Sequence, residues 1–197
     1  MAIANPTVVL ASASAARARV LDDAHVPYVR HPADVDEDAI KSDWTGDGEG
    51  LARELARTKA LAVSRIRPDA WVIGADQVLD LDGEILGKPG APDRARAQLE
   101  RLRGRAHMLI SAVCLARGNR IVWDHADRAR LHMRAFSDAF LDHYMERAGE
   151  AVSGSAGAYH LEGLGVQLFD RVEGDFFTVL GLIDLLNALR AHGALPS

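Results

Sequence analysis

Residues 71–89 read WVIGADQVLDLDGEILGKP. The apolar run 71–79, WVIGADQVL, predicts a strand, and Asp82-Gly83 is the dipeptide of a tight hairpin turn. The chain therefore doubles back after Leu81 and presents Lys88 just beyond the return strand. Working upstream, LARELARTKALAVSRI, 51–66, predicts a helix with an apolar stripe at Leu51, Leu55, Ala62 and Ile66. Residues 7–11, TVVLA, predict a short buried strand, and 15–24 a helix. HPADVDEDAI, 31–40, reads as acidic and irregular, and KSDWTGDGEG, 41–50, as a polar loop. Downstream, Pro92 and Asp93 open a basic helix running to about Arg103. HMLISAVCLA, RGNR and IVWDHADRARLHM predict strand, turn and strand. Ser137 caps a helix that stops at Gly149. SGSAGAYHLEGLG, 153–165, is glycine-rich, VQLFDRVEGD predicts strand and turn, and a last helix runs from about Leu180 to His192. Helices and strands alternate, but two hairpins interrupt the series. The expected fold is α/β with a mixed sheet and flanking helices. With no linker or repeat, residues 1–197 read as a single domain.

Charged residues in apolar frames carry the chemistry. Asp76 stands in an otherwise apolar strand, where a carboxylate is costly without a partner or a task. Metal binding or general-base work would supply one, and so would a bond to a loop amide. Lys59 lies in the apolar arc of its helix, so it either snorkels to the edge or points into a pocket holding an anion. In VVLASASAARARVL, 8–21, the small residues around Ser12 and Ser14 precede a helix N-terminus, and Arg17 adds a full positive charge. A phosphate group suits that loop, and so does simple capping by Ser14 beside a solvated arginine. Asp36 and Glu37 offer a second carboxylate for a metal, or only a solvated face. Taken together, Asp76, Lys59, Lys88, Ser12 and Arg17 would suit a metal and a polyphosphate.

Other classes are disfavoured. Lys and Arg number 23 against 28 Asp and Glu, a net charge of -5, which does not suit a nucleic-acid binder. The single Cys114 allows no internal disulfide and reads as core. His107 and His160 read as structural hydrogen-bonding groups, and no GxSxG elbow is present. AGAYHLEGLG has the wrong spacing and context for a dinucleotide fingerprint. With no long apolar segment and no signal-peptide pattern at MAIANPTVV, a cytoplasmic protein is expected.

The motifs, in order, resemble those of the Maf family, the septum-formation-type nucleoside triphosphate pyrophosphatases. LASAS with Arg17 is similar to the family's S-x-S-P-R-R opening, and DVDE to its acidic loop. ELARTKA is similar to its L-A-x-x-K-A helix, and GADQVLDLDGEILGKP to its G-[AS]-D-[TQ]-V block ending in K-P. AGAYHLEGLG and EGDFFTVLGL resemble its C-terminal blocks. The resemblance implies an elongated, two-lobed α/β fold of the Maf/inosine-triphosphatase-like type around a central cleft, often homodimeric. It implies a magnesium- or manganese-dependent cleavage of a nucleoside triphosphate to the monophosphate and pyrophosphate. By position, Asp76 would be the catalytic base and share a metal with Glu37. Ser12, Ser14, Arg17, Lys59 and Lys88 would hold phosphates. The branch it looks most like acts on 7-methyl-GTP, and Glu162, where the pyrimidine branch has Gln, would read the guanine edge. Ala15 and Ala16 replace the family's Pro-Arg or Pro-Trp, Thr58 a frequent Glu, Ser155 a Lys or Cys, and Ile183 a Pro. Three other readings stand beside it: a dTTP/UTP pyrophosphatase, a nucleotide-binding regulator of septum formation with weak turnover, and an RNA-binding module.

Overall fold

The computed structural model describes residues 7–182 and 184–195. Seven strands form one mixed sheet in the order β2-β1-β3-β5-β6-β7, with β4 paired to β3. β1 (Val8–Leu10) lies parallel to both β2 (Tyr28–Arg30) and β3 (Trp71–Leu81). The register sets Val9 opposite Val29 on one side and Val72 on the other. β4 (Glu84–Leu86) returns antiparallel on β3. Asp82 and Gly83 both have positive φ, as a type I′ hairpin needs. Gly118 and Asn119 do the same between β5 (Ala106–Arg117) and β6 (Arg120–Met133). β7 (Phe169–Glu173) is antiparallel to β6. The mixed α/β expectation holds for the reason the sequence offered: two turns of this chemistry reverse the chain.

The chain divides into two compact units. The first comprises Met1–Gln77, Ser111–Asp127 and Phe176–Ser197. One face of its sheet packs Leu10, Ile73, Ala75, Val113 and Leu115 under α1 (Ala15–Asp23) and α7 (Leu185–Ala191). Side chains alternate along a strand, so Gly74 faces the other way, onto α3 (Gly48–Ile66). A Cβ at Gly74 would lie 2.1 Å from the Ala56 carbonyl oxygen, so only glycine admits the helix this close. The second unit comprises Val78–Ile110 and Arg128–Asp175. It holds α4 (Pro92–Leu102) and α5 (Asp138–Ala148), with Leu99, Leu102, Leu141 and Tyr144 fully buried.

Five local expectations are corrected. The acidic stretch 31–40 is not irregular throughout, because α2 (Glu37–Asp43) begins inside it. The Asp36 carboxylate caps it, accepting from the Ala39 N–H at 3.0 Å, and Glu37 and Asp38 complement the helix dipole in its first turn. The loop assigned to 41–50 shrinks accordingly, since α3 starts at Gly48 behind its N-cap Asp47. The buried face of α3 runs through Leu51, Ala52, Leu55, Ala56, Lys59, Ala60 and Val63, and Ile66 is 63% exposed. The final helix starts at Leu185 and not near Leu180, and a separate short helix, α6 (Phe176–Leu180), precedes it and ends where Gly181 turns to φ +78°. Residues 164–168, assigned in part to a strand, form a 3-10 turn before β7. Ile183 lies outside the described residues. No helix among the described residues is long and apolar enough to cross a membrane.

Candidate active site

β1 pairs on both sides, with β2 reached through α1 and β3 reached through α3. The two helices cover opposite faces: α1 leads from the carboxyl end of β1 to β2 on one side, and the chain returns through α3 to β3 on the other. Such switch points in parallel sheets open a crevice where ligands bind. The Ala11 N–H still donates to the Ile73 carbonyl at 2.8 Å, and then the chain leaves the sheet. Ser12, Ala13 and Ser14 form the loop that follows. Asp76, three residues beyond Ile73 on β3, stands at the same end.

The loop is tightly held. Ser14 caps α1, its Oγ accepting from the Arg17 N–H at 3.3 Å. Ser12 is buried, and its Oγ accepts from the Ser14 N–H at 3.2 Å and from Arg17 Nη1 at 3.1 Å. Arg17 Nη1 also donates to the Ala75 carbonyl at 2.9 Å. Arg17 is thus not the solvated arginine that one reading allowed: it is 8% exposed. Its Nε is buried with no hydrogen-bond partner. Burial lowers the Arg17 pKa, against the opposing pull of the Asp76 and Glu37 carboxylates. Gly181, at positive φ, packs on the guanidinium, where a Cβ would stand 3.0 Å from Nε.

Lys59 does not snorkel. From the buried face of α3 its Nζ reaches Asp76 Oδ1 at 2.6 Å and Glu37 Oε1 at 2.7 Å. Asp76 is 6% exposed and Lys59 7%. One ammonium therefore bridges two carboxylates, supplied by a strand and by the first turn of α2. This is the partner that the strand position of Asp76 required. The two carboxylates converge on one cation position, as a divalent metal requires. Among the described residues no group of three or more His, Cys, Asp or Glu side chains is arranged to hold a metal. A magnesium-like ion suits such a pair, because it takes one or two carboxylates and fills its shell with phosphate oxygens and water. The residues present fit that ion on those terms.

Lys88 and Glu162 belong to the second unit. Lys88 lines an open cavity of about 340 Å³ with Glu84, Arg94, Gln98 and Arg101. Arg101 is spent on Glu84 at 2.6 Å. Glu162 lies in the turn closed by the Gly163 N–H on the His160 carbonyl, with His160 Nδ1 3.7 Å from its Oε1. That segment is pinned from below. Tyr144 Oη donates to the Ala158 carbonyl at 3.1 Å, and Ser155 Oγ to the Tyr159 carbonyl at 2.8 Å. Buried Tyr159 shares a 2.6 Å hydrogen bond with His107 Nε2. The structural reading of His107 is right, and burial holds its pKa down at about 4. Cys114 is core, its thiol pushed up to about 12 by burial.

Three supporting residues escaped the sequence reading. Arg30 Nη2 donates to the Ala13 carbonyl at 2.6 Å and so holds the serine loop from β2. Gln77 Nε2, next to Asp76, donates to Ser111 Oγ and the Val179 carbonyl, each at 2.8 Å, fixing α6 against the sheet. Trp44 Nε1 donates to the Asp47 carbonyl at 2.9 Å and closes the link between α2 and α3. Two of these bond backbone carbonyls alone, and a carbonyl partner leaves no mark in a sequence.

Residues 7–191 match the protein family described as Maf-like protein. A nucleoside triphosphate pyrophosphatase of Maricaulis maris is 48% identical, over 95% of this chain and 97% of its own. One of Caulobacter vibrioides is 50% identical, over 95% of this chain and 96% of its own. A 7-methyl-GTP pyrophosphatase of Rhizobium meliloti is 40% identical, over 98% of this chain and 99% of its own.

Proposed function

This chain belongs to the Maf-like protein family, and we propose from that membership and its Glu37–Lys59–Asp76 cluster, in which Lys59 and Asp76 are buried, that it is a nucleoside triphosphate pyrophosphatase. It would cleave a nucleoside triphosphate to the monophosphate and pyrophosphate. The observation that carries the reading is Lys59 Nζ at 2.6 and 2.7 Å from two carboxylates, beside a loop built to receive an anion. The amides at the start of α1, the Ser12 hydroxyl and the buried Arg17 guanidinium supply donors and positive charge for phosphate oxygens. Lys59 and Lys88 neutralise the leaving pyrophosphate, and Ser14 holds the loop as its cap. Asp76 accepts the proton of the water that attacks the α-phosphorus. Magnesium or manganese, held by Glu37 and Asp76, would lower the pKa of that water and spread the phosphate charge. The chain's own part is mostly positioning and electrostatics, as phosphoryl transfer requires.

For the base, the proposal is 7-methyl-GTP or a related guanine nucleotide. A guanine edge offers two adjacent donors, N1–H and N2–H, and the Glu162 carboxylate accepts both. A uracil or thymine edge alternates acceptor and donor, which suits glutamine. The name of the Rhizobium meliloti relative supports this direction. The same reading makes the working form a cytoplasmic homodimer, a state that sedimentation velocity would check. A weak-turnover regulator is the second reading, favoured by uncharged Ala15 and Ala16 in the first turn of α1. The test is pyrophosphate release with magnesium or manganese from 7-methyl-GTP, GTP, dTTP, UTP and ATP. Guanine-selective release supports the full proposal. Pyrimidine-selective release keeps the enzyme and refutes the Glu162 role, and binding without release favours the regulator.

A further inference from the structure

We propose that Lys59 holds the cation position between Glu37 and Asp76 in the free protein, so that a divalent metal enters only together with a nucleotide polyphosphate that draws the ammonium away. The inference rests on the pyrophosphatase reading and adds an order of binding to it.

The cluster is balanced as it stands. Lys59 and Arg17 bring two positive charges, and Glu37 and Asp76 two negative ones. Buried ions persist where their charges are met, and removing one partner leaves the others uncompensated. A divalent ion arriving alone would add two positive charges beside a lysine 7% exposed and an arginine 8% exposed. It would also have to displace an ammonium already 2.6 and 2.7 Å from the oxygens it needs. A metal–polyphosphate complex carries net negative charge and meets neither obstacle. Its phosphate oxygens offer Lys59 a new partner, and the two carboxylates are released together.

The geometry of α2 allows the exchange. None of its residues is buried. Its first turn meets the cluster through Glu37, and its far end is tied to α3 by Trp44. Glu37 also lies 3.5 Å from Lys41 Nζ on its own helix, so it keeps a counter-charge when Lys59 leaves.

The experiment is calorimetric titration of manganese into nucleotide-free protein, comparing the wild type with Lys59→Met and Lys59→Arg. Methionine keeps the length of the side chain and removes the charge, whereas arginine keeps the charge. The wild type and Lys59→Arg are expected to bind manganese weakly. Lys59→Met is expected to bind it at least roughly tenfold more tightly, within the range of ordinary site coupling. Manganese binding by Lys59→Met that is equal to or weaker than the wild type overturns the proposal. Should Lys59→Met be unfolded alone, recovery of its circular dichroism on adding manganese is the same result read through folding. Failure of that recovery counts against the proposal. The readout needs no turnover, so the two readings fail separately. An absence of pyrophosphate release defeats the enzyme reading, and unchanged manganese binding with intact release defeats only this one.

Discussion

At position 76 an aspartate interrupts the apolar run of β3, and at position 59 a lysine sits on the buried face of α3; the structure joins the two at 2.6 Å. Both were legible as anomalies, because an unmatched charge in an apolar frame demands a partner. Their bond to each other was not legible, since nothing in a sequence aligns a helix turn with a strand residue 17 positions on. Glu37 was legible only as one of two carboxylates, with Asp36, that could serve a metal or simply face solvent, and the family resemblance singled it out. Arg30 and Gln77 gave no signal. Two expectations belong at this scale. Asp76→Asn keeps the shape and an acceptor for Lys59 but cannot take a proton. Its kcat is expected to fall roughly 10²–10⁴-fold with an unchanged circular dichroism spectrum, and a loss below tenfold would remove Asp76 from the base role. Glu162→Gln is expected to shift preference from guanine towards pyrimidine triphosphates, seen in the ratio of kcat/KM values. An unaltered ratio would show that the base is read elsewhere.

The packing of α3 on β3 brings Lys59 to Asp76, and it depends on the absence of a side chain at Gly74. A Cβ there meets the Ala56 carbonyl at 2.1 Å and the Ala60 Cβ at 2.7 Å. Neither neighbour is a flexible tip that can swing away. Gly74→Ala is therefore expected to cost about 1–3 kcal/mol or more by overpacking, lowering Tm by roughly 2–4 °C for each kcal/mol. It should also weaken turnover, because α3 carries Lys59 outward. Scanning calorimetry with a parallel activity assay checks both, and an unchanged Tm would mean that the helix yields without strain. Strong elements were legible at this scale: β3, the Asp82-Gly83 turn, and α4 behind Pro92 all declared their ends. α2 was missed because its evidence lies in capping rather than in an apolar stripe. Seven residues with none buried leave no periodicity to read. The break at Gly181 was missed because the apolar pattern continues on both sides of it.

For the whole molecule, the two hairpins foretold a mixed sheet, but the order β2-β1-β3-β5-β6-β7 comes from pairings between distant segments that no local signal encodes. Stability in acid is also a property of the whole chain. His107 is 2% exposed, and burial, followed by the nearby His132, lowers its pKa to about 4. An unfolded histidine takes up its proton near pH 6.5. Between those values the unfolded state binds the extra proton, so stability falls as pH drops from about 6.5 towards 4, by roughly 3 kcal/mol in all. Above that window His107 contributes no pH dependence. Urea melts at pH 7.5 and pH 5 are expected to show a larger loss for the wild type than for His107→Gln, and parallel losses would contradict this. The central claim concerns the bond that is cut, and reaction in ¹⁸O-water tests it most directly. With magnesium or manganese and a guanine triphosphate, the account predicts label in the nucleoside monophosphate, unlabelled pyrophosphate, and loss of both products in Asp76→Asn. Label in the pyrophosphate, or release of orthophosphate in its place, would contradict attack at the α-phosphorus and the site built around it.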